Sequence, residues 1–161
     1  MDDIELQTDR LRLRRLTPAD AGRLAAIADD IRIARNLTPA FPHPYTLDDA
    51  VEFIASRPQG LGIEPVDGDN GIVGMVGGSE RGDPYRGVFS FGYWLGVKHW
   101  GNGYATEAGR AFLDHIVETA GPDRGIRRIE ASAYGWNPAS ARVLTKLGLG
   151  SPSGQLDHGG R

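Results

Sequence analysis

The residues richest in chemistry lie where an apolar strand stops and a helix begins, in the run Trp94-Leu95-Gly96-Val97-Lys98-His99-Trp100-Gly101-Asn102-Gly103-Tyr104-Ala105-Thr106-Glu107-Ala108. A strand that runs into Gly-x-Gly and then a helix exposes backbone N–H groups the helix itself cannot satisfy. Such donors at the positive end of a helix form an anion site. Gly101 and Gly103 carry no side chain, so a phosphate can rest against the backbone. No Lys-Ser or Lys-Thr follows the glycines, which excludes a Walker loop. Thr106 stands where a dinucleotide fingerprint needs its third glycine. On the glycines alone, an anion site and a plain strand-to-helix turn are equally good readings.

A second junction lies downstream. The strand expected over Ile126 to Tyr134 runs into a helix start at Asn137-Pro138-Ala139-Ser140, so two neighbouring junctions can open toward one crevice. By itself Asn137 reads as a helix cap, and Ser140, at the third helical position, as a surface hydroxyl. By itself Glu130 reads as a solvated charge. His43, His115 and His158 are too scattered for a metal site, so no metal is expected. There is no cysteine, which excludes disulfides, thiolate zinc sites and a cysteine nucleophile.

The elements that must position these residues are legible from periodicity. Leu11 and Leu13 alternate with Arg10, Arg12 and Arg14 across a strand, and the arginines read as a solvated face. Thr17-Pro18-Ala19-Asp20 starts a helix whose apolar stripe is Ala21, Leu24, Ala25 and Ala28. Pro39, Pro42 and Pro44 hold Phe41, His43 and Tyr45 in a loop. Thr46 to Asp49 repeats the capping pattern, ahead of a short helix carried by Leu47, Ala50, Val51 and Ile54. Turn residues between Gly62–Val66 and Ile72–Val76 predict a hairpin. Val88 to Leu95 is apolar on both faces and so belongs in the middle of a sheet. Ala105, Ala108, Phe112 and Ile116 predict a helix ended by Gly121-Pro122, and Ala139, Val143, Leu144 and Leu147 a last one stopped by Gly148. The fold class is mixed α/β (α+β), with a mostly antiparallel sheet flanked by helices.

At 161 residues the chain is expected to be one domain over 1–149, with a glycine-rich tail over 150–161 expected to lack a fixed structure. A net charge of -3 argues against nucleic acid, whose recognition rests on Lys and Arg neutralising phosphates. The acidic, polar start is no signal peptide, and no segment has the roughly 20 apolar residues of a membrane-spanning helix. A soluble, cytoplasmic protein is expected, without a membrane partner.

Gly92-Tyr93-Trp94-Leu95, Trp100 to Ala108, and Asn137-Pro138-Ala139-Ser140-Ala141-Arg142-Val143-Leu144-Thr145-Lys146-Leu147-Gly148 together resemble the GCN5-related N-acetyltransferases (GNAT). The opening, Leu6 to Arg14, is similar to the branch of ribosomal-protein N-terminal acetyltransferases. The resemblance covers about residues 6 to 149. It implies an acetyl-CoA-dependent N-acetyltransferase acting on a primary amine of a peptide N-terminus or small molecule. The strand over Val88 to Leu95 would splay from its neighbour. Pantetheine would bond backbone groups of Leu95 and Val97, and the pyrophosphate would bond amides of Trp100, Gly101, Asn102, Gly103, Tyr104, Ala105 and Thr106. Asn137 and Ser140 would face the thioester, with Ser140 as the hydroxyl that protonates the departing thiolate.

Three departures stand against that pattern. Leu144 occupies a position where many members carry a tyrosine acid, and Ser90 one where they often carry a glutamate base, which leaves the base unassigned among Glu64, Glu80, Glu130 and His99. The usual C-terminal strands are missing after Gly148, which predicts an open sheet edge covered by a second subunit, hence a homodimer. The alternative these departures support is an acyl-CoA-binding GNAT-like protein with impaired catalysis.

Overall fold

The computed structural model describes residues 4–35, 37, 41–56, 59–68, 71–80, 84, 86–120, 125–131 and 138–149; within the last helix, side chains are described from Arg142 onward. Six strands form one sheet in chain order: β1 (Glu5–Gln7), β2 (Leu11–Arg14), β3 (Leu61–Pro65), β4 (Gly74–Glu80), β5 (Val88–Leu95) and β6 (Arg128–Glu130). All neighbours are antiparallel except β5 and β6, which run parallel. Parallel neighbours need a long crossover. It is supplied by α4 (Tyr104–Ala120). The remaining helices are α1 (Ala21–Ala28), α2 (Ile31–Ala34), α3 (Leu47–Ala55) and α5 (Pro138–Lys146).

The strand alternation sends side chains into two apolar clusters. Leu11, Leu13, Ile63, Val76, Phe89 and Phe91 pack with Ala108, Phe112 and Leu113 of α4 and Leu144 of α5. Leu24 and Ala28 of α1 pack with Ala50 and Ile54 of α3, Ile72 and Tyr45. The capping pattern at Thr46 forms as expected, with the Asp49 amide donating to Thr46 Oγ1 at 3.1 Å and the Thr46 amide to Asp49 Oδ2 at 2.8 Å. Leu47 and Val51 do not join the core: both are exposed, and Phe53 takes the place expected for Val51.

Arg10 and Arg12 are exposed, as the alternation suggests, but Arg14 at the end of β2 is largely buried. Arg14 forks onto Asp20 (Nη1–Oδ2 2.9 Å, Nη2–Oδ1 2.9 Å) and donates to Glu64 at 3.1 Å. Arg12 also reaches Glu64, at 3.4 Å. Burial works against an ionised Asp20, but the Arg14 guanidinium and the Thr17 amide outweigh it and hold the carboxyl below its ordinary range. The same two carboxylates keep Arg14 charged despite burial. An ion network therefore fills the space where β2 and β3 meet the start of α1.

Two expectations changed in extent. The hairpin pairs Leu61 with Val76 and Ile63 with Gly74, and its second strand runs on to Glu80. Of the strand expected over Ile126 to Tyr134, Arg128–Glu130 is a strand, and residues 132–134 lie outside the described residues. So do the tail over 150–161 and the edge left after Gly148.

Candidate active site

The sheet positions the glycine junction through β5. At its end the Gly96 amide donates to Val73 O at 2.7 Å, and a single 3₁₀ turn, Val97–His99, reverses the chain. Trp100 closes that turn twice, its amide to Val97 O at 3.2 Å and its indole Nε1 to Leu95 O at 3.0 Å. Gly101 and Gly103 then take φ of 81° and 79°, the left-handed region costly for any residue with a Cβ. The Glu107 amide bonds back to Gly103 O at 3.1 Å. Among the described residues, the amides of Gly101 to Thr106 have no acceptor. Six consecutive donors at the start of a 17-residue helix are the anion cradle the sequence suggested.

A clamp fixes that helix end to the turn between β1 and β2. Glu107, in the first turn of α4, accepts from Thr8 Oγ1, from the Arg10 amide at 3.0 Å and from Arg10 Nε at 2.7 Å. The Arg10 guanidinium lies 5.0 Å from the Tyr104 ring centre, a cation–π geometry. Burial disfavours an ionised Glu107, but the bonds from Thr8 and Arg10 prevail and hold its carboxyl below the ordinary value.

The junction opens into a cleft of about 310 Å³. Tyr93, Trp94 and Leu95 of β5 form one wall, the glycine junction another, and Arg142, Val143 and Lys146 of α5 a third. Arg32 and Ile33 of α2, with Leu37, close the remaining side. Of the expected binding residues, Leu95, Trp100, Gly101, Gly103, Tyr104, Ala105 and Thr106 line this cleft. Val97 and Asn102 are not on its lining: Val97 begins the 3₁₀ turn, and Asn102 ties its side chain back to His99 O at 3.3 Å. Asn137 lies outside the described residues, and Ser140 is described only as the third residue of α5.

The candidate acceptors of a proton separate by geometry. Glu64 is engaged by Arg12 and Arg14, and Glu80 accepts the Gly87 amide at 3.3 Å across the end of the β4–β5 pair. Glu130 is half-buried beside Ser90 in register, and His99 is half-buried in the 3₁₀ turn. None of the four lines the cleft. On the opposite side, Tyr45 is buried in the second cluster. Phe41 stacks on it at 5.2 Å and meets Trp94 edge-on at 5.8 Å, so this loop supports the cleft wall from behind. Asp83 and Tyr85 lie outside the described residues.

Sequence reading missed Tyr93 and Trp94 as lining, because the apolar run of β5 reads as core. It also missed α2, a single turn started by Asp30, whose side chain accepts the Arg32 amide at 2.8 Å. Asp30 ahead of Ile31 and Ile33 is a readable cap, although one helical turn gives no periodicity.

Unpaired amides, an apolar wall and cations suit a ligand that is phosphorylated at one end and uncharged along its length. Known proteins agree with that chemistry. The family model for the acetyltransferase (GNAT) domain matches residues 10–150. The chain is 28% identical over 152 residues to the Bacillus subtilis (strain 168) protein named uncharacterized N-acetyltransferase YoaA, covering 89% of this chain and 81% of that one. Its fold is similar to a GNAT-family acetyltransferase from Bacillus anthracis, with a TM-score of 0.77 at 20% identity, covering 90% of this chain and 82% of that one. It is also similar to RimL, a ribosomal L7/L12 alpha-N-protein acetyltransferase, in complex with coenzyme A, with a TM-score of 0.70 at 16% identity and coverage of 89% and 82%. With six strands in the order of that fold, an amide cradle at the start of α4 and the domain matched over nearly its whole length, the chain belongs to the GNAT acetyltransferases, which carry out acetyl-CoA-dependent acetylation.

Proposed function

We propose that this protein transfers the acetyl group of acetyl-CoA to a primary amine, with the α-amine of a protein or peptide N-terminus preferred over a small-molecule amine. The observation that carries the reading is the run of amides from Gly101 to Thr106 without an acceptor, at the mouth of a cleft walled by β5. A diphosphate against these amides would leave the pantetheine arm running along Leu95 toward the two neighbouring strands. Among the described residues, β6 pairs with β5 over Val88–Ser90, while β4 stays paired with β5 as far as Leu95. This supports a gap beside the second half of β5.

In the reaction the amine lone pair attacks the thioester carbonyl carbon, the new C–N bond forms, and the C–S bond breaks with its electron pair on sulfur. The amine loses one proton and the thiolate gains one. A backbone N–H at the end of β5 steadies the oxyanion, and the Ser140 hydroxyl supplies the thiolate's proton. Asn137 holds the amide-bearing arm. With Glu64 held by two arginines, no strong base faces the cleft among the described residues. An α-amine, with a pKa of about 7.7 to 8.0, sheds its proton near neutrality far more readily than a lysine at about 10.4.

Matched peptides with free and blocked N-termini, each containing one lysine, test the acceptor class. Release of CoA thiol with the free peptide alone is the expected result. Equal rates for both overturn the α-amine preference. Binding of acetyl-CoA without turnover across peptides and small amines is the result for an impaired enzyme. That reading draws on Leu144, which is buried in the core and offers no acid. We also propose a homodimer that covers the free side of β6, to which no strand is paired among the described residues. Sedimentation as a monomer at micromolar concentration would exclude it.

A further inference from the structure

Glu107 is an acidic residue in the first turn of α4, and its amide begins the helical bonding there by donating to Gly103 O at 3.1 Å. A carboxylate so placed is drawn to the same positive helix end and unpaired amides that serve an anion, and it repels an anion bound there. Here both of its oxygens are engaged by the turn between β1 and β2. Oε1 accepts from Arg10 Nε at 2.7 Å, and Oε2 accepts from the Thr8 hydroxyl and from the Arg10 amide at 3.0 Å. The turn is built to present these donors. Thr8 Oγ1 accepts the Leu11 amide at 2.9 Å, which leaves its own hydrogen for Glu107, and the Thr8 amide donates to Leu11 O at 2.9 Å. The Arg10 guanidinium also lies 5.0 Å from the Tyr104 ring centre, and a Cβ on Gly103 would stand 3.3 Å from its Nη2. The cation therefore sits beside the glycine loop as well as on the carboxylate.

We propose that Thr8 and Arg10 are positioning residues for the reaction: they hold the Glu107 carboxylate off the amides of Gly101 to Thr106 and cancel its charge, so that the cradle accepts an anion the carboxylate would otherwise repel. The inference rests on the acetyl-CoA reading above. Thr8, Arg10 and Glu107 do not line the cleft, so they act through the cradle and make no contact with the ligand. Thr8 supplies direction, a single hydroxyl hydrogen aimed at one oxygen. Arg10 supplies the opposite charge, on the other oxygen. Without Arg10, a full negative charge remains one turn from a site that takes a diphosphate. Without both Arg10 and Glu107, the first turn is neutral again.

The test is calorimetric titration of the full chain with acetyl-CoA, beside thermal melts. Arg10→Gln should bind about 10-fold more weakly than wild type in low salt, as one uncompensated charge near a diphosphate implies. The loss relative to wild type should shrink between about 10 mM and about 1 M salt. Arg10→Gln/Glu107→Gln should return to within about threefold of wild type, although it lacks more of the clamp and melts no higher than Arg10→Gln. Arg10→Lys, which keeps the charge, should also stay within about threefold. At saturating acetyl-CoA and amine, kcat should be unchanged in all three, with the effect confined to the KM for acetyl-CoA. If Arg10→Gln does not fold, Thr8→Val and Thr8→Val/Glu107→Gln repeat the comparison, with a loss of about threefold expected in the first and recovery in the second. A purely structural clamp predicts the reverse order, each double variant binding no tighter than its single. That order, or wild-type affinity in the single variant, overturns the assignment and leaves acetyl-CoA binding intact. Failure of wild type to bind acetyl-CoA overturns the acetyl-CoA reading itself.

Discussion

Replacing Gly103 with valine separates the two roles of the glycine junction. At φ 79° any L residue pays for its Cβ, by about 1–2 kcal/mol. For a chain of this length each kcal/mol lowers Tm by about 2–4 °C, so backbone strain alone predicts a fall of about 2–8 °C. The new Cβ would lie 3.3 Å from Arg10 Nη2, the far end of a flexible side chain, which adds little. Gly148 is the matched control: its φ is 82°, a Cβ there meets nothing within 4 Å, and it stops α5 without lining the cleft. Gly148→Val should therefore lose comparable stability. Binding should diverge. Relief of strain at position 103 turns the amides of residues 103 and 104 away from a shared anion. Two charge-assisted bonds at about 1.5–3 kcal/mol each weaken acetyl-CoA binding by about 10²- to 10⁴-fold. Calorimetric titration with acetyl-CoA, beside thermal melts of both variants, reads the two effects. If Gly103→Val melts like Gly148→Val and binds acetyl-CoA as wild type does, the amides from Gly101 to Thr106 are a structural turn and the cradle assignment is wrong.

Arg14→Met leaves Asp20 and Glu64 buried without their shared cation, and should cost about 3–5 kcal/mol, seen as a drop in the urea midpoint with an unchanged slope. Asp20 and Glu107 both have carboxyls held below their ordinary values, so their contribution is fully present above an unfolded-state pKa of about 4 and is lost as pH falls through the lower folded values. Tm should be nearly flat from about pH 7 to 5 and fall steeply below about 4; a Tm that holds down to about pH 2 would remove these two groups from the account. Ser140→Ala should lower kcat by about 10²-fold with little change in acetyl-CoA affinity, and an equal loss in both would make Ser140 a binding residue only.

Most of the fold was legible because its elements announce themselves by period. The run Val88 to Leu95, apolar on both faces, became the strand with neighbours on both sides, and Ala105, Ala108 and Phe112 became the buried face of α4. The glycine junction was legible for a different reason: only positive φ or close approach explains two glycines there, and both have positive φ. What stayed hidden was tertiary. Arg14 alternates with leucines as a solvated residue would, yet Glu64 arrives from a strand about fifty residues later and, with Asp20, holds it in a largely buried ion network. Tyr45 lies in a proline-rich loop, yet it packs with the apolar faces of α1 and α3. Glu107 lies within a motif already singled out, but its partners Thr8 and Arg10 are almost a hundred residues away in the chain.

The bond from the Trp100 indole to Leu95 O does more than close a turn. It holds a fluorophore at a fixed angle on the cleft wall, 46% exposed, with Trp94 lining the same space from β5. Indole emission follows the polarity around the ring, so any occupant that displaces water from this cleft changes the light these two residues emit. The protein carries its own optical reporter of occupancy. A titration followed by tryptophan emission reads ligand arrival directly, without label or turnover, and replacing Trp100 with phenylalanine separates the junction's share of the signal from that of Trp94 and Trp136.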